Sequence, residues 1–205
     1  MIEALITLII FCFLGTGTPG PNNIMLMTSG MNYGLRRSVP HVLGVAFGVP
    51  VMVIGVGIGL AQAFSALPWL EDALKYVCAA YLLYLAYKIA TARPKVTEDG
   101  QMQVIGKPLT IWQAAAFQWV NPKAWFIVTT ALSVYAPPAP PMLATLIVAG
   151  GFALSGNVTG FTWTALGERM RIFFSDPLRL RIFNTVSAIL LLATLIPVFW
   201  PNVGA

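Results

Sequence analysis

Apolar residues run along this chain in long blocks, with polar residues gathered between them. A membrane-crossing helix needs roughly 20 such residues. Six blocks reach that length: Ile2 to Gly30, Val39 to Ala63, Leu67 to Thr91, Leu109 to Tyr135, Pro141 to Leu166 and Leu180 to Trp200. Connections are short except for Ala92 to Pro108, which holds Arg93, Pro94, Lys95, Glu98, Asp99, Gly100, Gly106 and Lys107. The pattern predicts an all-α membrane protein, one transporter domain over 1–205. A first repeat of about 1–92 and a second of about 109–205 would flank a linker at about 93–108. Three spans per half make the second half enter from the opposite face, which is the inverted-repeat plan of many carriers. The first block has only Glu3 as a charge and no small-x-small cleavage site, so it is expected to be a span and not a signal peptide.

Two blocks are interrupted at matching places. The first half has Gly15-Thr16-Gly17-Thr18-Pro19-Gly20-Pro21-Asn22-Asn23, and the second has Phe117-Gln118-Trp119-Val120-Asn121-Pro122-Lys123. Proline removes a backbone donor and clashes with the preceding turn. Such kinks are often purely structural in membranes. Lys123 is harder to explain by structure, because a charge at that depth costs a few kcal/mol or about ten, depending on the reference state. Snorkelling to one face is the structural alternative.

Helix ends suggest a chemistry for the breaks. Asn121 is suited to an N-cap and Pro122 to a first helical position. Gly20 and Pro21 can do the same in the first half. Free N–H groups and the helix dipole attract anions, and Lys123 adds a full charge. Asn22, Asn23, Asn121 and Gln118 offer neutral donors and acceptors. Carbonyls freed at Thr18 and Val120 could take an ammonium. The set describes a pocket for a zwitterionic amino acid.

Charge placement bears on orientation. Arg36, Arg37, Lys88, Arg93, Lys95, Lys107, Arg169, Arg171, Arg179 and Arg181 fall on one side, and Lys75 on the other. The basic side is expected to be cytoplasmic and both termini periplasmic. The net charge of +5 is accounted for by this topology, so nucleic acid is not an expected partner. Composition agrees: 58% of residues are hydrophobic and 9% charged, against roughly 25% charged in soluble domains. No nucleophile–base–acid set, phosphate-binding loop or metal cluster is present, so neither an enzyme nor a cofactor is expected. His41 is the single histidine and could relay protons or merely pack. Cys12 and Cys78 read as small buried hydrophobes. Glycines 44, 48, 55, 57, 59, 150, 151, 156 and 160 are expected to let helices approach closely. Asn157 lies mid-way along the fifth block, where an interhelical hydrogen bond or a binding role would fit. Trp69, Trp112 and Trp200 fall at block ends, as in an interfacial belt.

Several of these stretches resemble the lysine exporter (LysE/RhtB, homoserine/threonine efflux) family. They are Thr18-Pro19-Gly20-Pro21-Asn22; Gly30 with Asn32-Tyr33-Gly34 and Arg36; Leu43-Gly44 with Phe47-Gly48; Lys75 with Ala79-Ala80-Tyr81-Leu82-Leu83-Tyr84-Leu85; and Phe117 with Asn121-Pro122-Lys123. The resemblance covers nearly the whole chain. It implies amino-acid export across the bacterial inner membrane by a small carrier coupled to an ion gradient, with protons the implied coupling ion. Members commonly carry an Asp in the fifth span where this chain has Asn157. With no Asp or Glu expected inside a span away from its ends, a neutral amino acid or related small zwitterion fits better than a dibasic one. The expected binding residues are Lys123, Pro122, Asn121, Gln118, Pro21, Asn22, Asn23 and Asn157. A channel or structural membrane subunit, and a thiol-disulfide electron carrier, are the competing readings. A homo-oligomer is left open.

Overall fold

The structure is a computed structural model that describes residues 1–60, 68–92, 94–96, 102–104, 106–170 and 176–199. Helices α1 (Ile2–Gly17), α2 (Pro21–Tyr33) and α3 (Leu35–Gly55) come first, and α3 runs on into a π-helical stretch, Val56–Leu60. Helix α4 (Pro68–Ala90) is followed by strands β1 (Pro94–Val96) and β2 (Met102–Val104). Helices α5 (Ile111–Trp119), α6 (Pro122–Val134), α7 (Pro141–Met170), α8 (Pro177–Ala193) and α9 (Ile196–Phe199) complete the chain. The expected linker therefore carries an antiparallel ribbon, with Lys95 opposite Gln103. Arg93, Glu98 to Gly100, Arg171 and Trp200 lie outside the described residues, as do the side chains of Lys75, Cys78 and Lys95.

The distribution of side chains is that of a protein dissolved in lipid. Ile2, Ile6, Ile10 and Leu14 form an exposed stripe on α1, and Leu143, Leu146, Leu154 and Val158 are exposed on α7. The interior holds Asn23, Ser29, Asn32, His41, Gln118, Asn121, Thr164 and Asn184. Water would favour the opposite arrangement, whereas hydrocarbon favours polar groups turned inward onto one another. Leu35–Gly59 and Pro141–Met170 are each long and apolar enough to cross a membrane. Helices α1 and α2 do so together, bent by 58°. The protein is a multi-pass helical membrane protein.

Helix α7 is the axis of the bundle, packed on α1, α2 and α3, while α3 also packs on α5, and α4 on α8. Glycines set the close crossings. A Cβ at Gly30 would collide with the Thr164 carbonyl, and one at Gly167 with the Met27 carbonyl, so α2 and α7 touch backbone to backbone. Gly44 and Gly48 seat α3 on Ile111, Ala114 and Ala115 of α5 in the same way. Gly150 does not follow the packing expectation, since nothing lies within 4 Å of its would-be Cβ. Gly59 has φ 114°, which ends the second apolar block as a helix. Trp69 and Trp112 are 63% and 80% exposed, as belt residues should be.

Candidate functional site

Prolines dictate both helix breaks. A residue before proline is pushed out of the α region. Thr18, before Pro19, sits at φ −65°, ψ 143° and ends α1. Gly20, before Pro21, is fully extended and starts α2. Asn121, before Pro122, lies at φ −95°, ψ 109° and starts α6.

Breaking a helix inside a membrane frees backbone carbonyls that no water can satisfy. Side chains from three other helices supply the partners. The Asn23 amide donates to the carbonyls of Thr16 (2.8 Å) and Thr18 (2.7 Å). The Trp163 indole of α7 donates to the Gly17 carbonyl (3.1 Å). The Lys123 ammonium of α6 donates to the Thr18 carbonyl (2.6 Å), the Thr18 hydroxyl (2.8 Å) and, more weakly, the Pro19 carbonyl (3.4 Å). A lysine suits this position because the carboxy end of a helix carries partial negative charge.

The second break is joined to the first. Asn22 and Gln118 exchange a reciprocal amide pair, 2.8 and 3.1 Å, and Gln118 also donates to the Ala114 carbonyl. Asn121 caps α6 as expected, its side chain accepting from the Lys123 amide at 3.1 Å. The Ala124 and Trp125 amides donate to the Asn121 carbonyl. The open N–H end expected at α6 is thus occupied by Asn121 itself, and the positive charge available there is the Lys123 side chain. The ammonium expected on the Thr18 carbonyl is likewise supplied by Lys123. Within hydrogen-bonding reach of that ammonium no carboxylate stands among the described residues, where the one ion pair is Arg179–Asp176.

A cavity of about 30 Å³ opens at this junction, with Thr16, Gly20, Asn22, Asn23, Asn121 and Lys123 among its lining residues. Of the residues expected at a site, Pro21, Pro122 and Gln118 stand behind this wall, shaping the backbone and holding Asn22. Asn157 does not line the cavity, and its amide is spent on the Ala153 carbonyl of its own helix (2.8 Å). Thr159 and Phe152 of α7 do line it. Thr159 lies two residues from Asn157, but one polar residue among several on α7 does not say which of them faces the break. The capping role of Trp163 follows from the crossing of α7 past Gly17.

An apolar exterior, paired polar groups set into an apolar core and two discontinuous helices meeting at a half-buried cation define a helical membrane transporter. Residues 13–194 match the family described as LysE type translocator, and the chain belongs to that family. It is similar to the cysteine/O-acetylserine efflux proteins of Escherichia coli (strain K12) and Shigella flexneri, at 32% identity over 185 residues. Those alignments cover 89% of this chain and 91% of each relative. No solved structure matches the chain.

Proposed function

We propose that this translocator is a secondary active exporter that carries a neutral amino acid or related small zwitterion across the bacterial inner membrane. Six spans in two inverted halves, with both termini periplasmic, fit the matched breaks and the one-sided placement of arginine and lysine. The relatives named for cysteine and O-acetylserine efflux support a cargo of that kind, and so does the lack of a carboxylate among the described residues of the cavity wall. Proton coupling is part of the proposal.

The observation that carries it is the Lys123 ammonium resting on the Thr18 carbonyl where the two breaks meet. In the conformation described, the cavity has room for about two waters. An amino acid requires it to widen. On arrival, the cargo ammonium takes the Thr16 and Thr18 carbonyls, and its carboxylate accepts from the displaced Lys123. Lysine thus stands in for the absent cargo and keeps the carbonyls satisfied between cycles. The small residues lining the cavity, Gly15, Gly20, Gly156 and Gly160, let the halves part there without stranding large side chains. Rocking of one half against the other then exposes the site to either face.

The test is export of radiolabelled amino acids from overexpressing cells, screened across cargoes and repeated with a protonophore. Lys123→Met is expected to abolish export while still inserting in the membrane. Normal export by that variant removes the assignment, and export indifferent to the protonophore removes proton coupling.

A further inference from the structure

A second cavity, of about 50 Å³, lies toward the other end of α2. Thr28, Ser29 and Asn32 of α2, His41 of α3, Lys88 of α4 and Lys107 are among its lining residues. Its polar wall is only partly satisfied. Ser29 pairs with Ser38 at 2.9 Å, and Asn32 exchanges bonds with Asn184 at 3.1 and 3.3 Å. The Thr28 hydroxyl and both ring nitrogens of His41 have no partner among the described residues. Both side chains are buried, 3% and 2% exposed. Buried polar groups are nearly always paired, and the few that are not call for a reason. That holds more strongly in a bundle sheathed by lipid.

The room available fits about three waters or one small polar head group. The chemistry of the wall selects which. Lys88 and Lys107 stand exposed beside it, no Asp or Glu lines the cavity among the described residues, and the unpaired groups include hydroxyl and imidazole donors. This is a set for an anionic oxygen pair. The two cavities adjoin along one helix: Leu26 lines the first and Met25 the second. Asn23 and Thr28 are separated by about 7.5 Å of helix rise.

We propose that this cavity is a loading site, which takes the carboxylate of the exported amino acid from the basic face before the cargo moves along α2 to Lys123. The inference rests on the exporter reading above and adds to it a second, separate binding position. Thr28 and His41 would donate to the carboxylate, and the two lysines would draw it in from solvent.

Because His41 is the only histidine, its ring gives a single signal in a ¹³C-labelled protein. The experiment adds O-acetyl-L-serine to the full chain in phosphatidylcholine nanodiscs and follows that signal. The expected result is a saturable shift that persists in Lys123→Met, whose loading site is intact. In Thr28→Val the half-saturating concentration should rise about ten- to a hundredfold, the worth of one hydrogen bond to a charged group. The internal cargo concentration for half-maximal export should rise in step, with a smaller change in maximal rate. An unmoved imidazole in a protein that exports O-acetylserine overturns the loading site and leaves the exporter reading standing. A shift produced only by replacing the lipid with phosphatidylglycerol makes the cavity a lipid-headgroup site and also overturns it. Absence of export by the wild type counts against the exporter reading instead, since the two readouts are taken separately.

Discussion

Asn23 should prove to be the structural pin of the first break, and Lys123 its functional occupant. Asn23→Leu keeps the branched shape at somewhat greater volume and helix propensity, and removes both amide donors. The Thr18 carbonyl retains the Lys123 ammonium at 2.6 Å, whereas the Thr16 carbonyl loses the partner it had at 2.8 Å. One buried carbonyl left unpaired costs about 1–3 kcal/mol, and the second lost bond adds about 1 kcal/mol. The sum is about 2–4 kcal/mol, or a fall in Tm of roughly 5–15 °C for a chain of this size. Lys123→Met differs in kind. It leaves the Thr18 carbonyl with the Asn23 amide at 2.7 Å, and the one carbonyl that loses its Lys123 bond outright is that of exposed Pro19, held only weakly at 3.4 Å. The lost charge-assisted bonds are offset by removing a cation from membrane depth, an expense of about 2.5–3.5 kcal/mol on insertion scales. Thermal unfolding of both variants in detergent, followed by tryptophan fluorescence, gives the comparison. Asn23→Leu should melt well below the wild type and Lys123→Met close to it, with export lost in both. Equal melting of Asn23→Leu and wild type would refute the carbonyl accounting. A Lys123→Met fall as large as that of Asn23→Leu would make the lysine a structural residue.

Other outcomes follow from single contacts. Gly30→Ala should destabilise by more than 1–3 kcal/mol, the order expected for overpacking that side chains can absorb, because its Cβ meets the Thr164 backbone. Gly150→Ala meets nothing within 4 Å and should be neutral or stabilised by up to about 1 kcal/mol in the same melting assay. Gln118→Leu leaves the Asn22 amide without its partner and should lower stability by about 1–3 kcal/mol. A second change, Asn22→Leu, should recover part of that loss in a double-mutant cycle. Cys12→Ala should export normally, since Cys12 is a buried thiol packed beside Gly151, and loss of export would revive a thiol-based mechanism.

Most of the helix plan was readable from residue order. Prolines 19, 21 and 122 act on their immediate neighbours, so the breaks and caps they impose are local facts. The apolar blocks likewise mark helices, because every backbone group in hydrocarbon must be paired within its own segment. Errors of one turn remained: α7 runs on to Met170 and α3 begins at Leu35, where the chain is no longer uniformly apolar. The linker ribbon was not readable, since three-residue strands carry too little pattern.

Composition and periodicity were enough to establish a lipid-dissolved helical bundle with a cation near two helix breaks, because hydrophobicity and proline stereochemistry are properties of neighbouring residues. Which groups meet across 100 positions is another matter. That Lys123 reaches Thr18, that Gln118 clasps Asn22 and that Trp163 caps Gly17 depend on the angle and depth at which helices cross. Those are set by backbone-to-backbone contacts such as Gly30 on Thr164 and Gly44 on Ile111. A glycine announces that an approach is allowed; the folded bundle selects the partner.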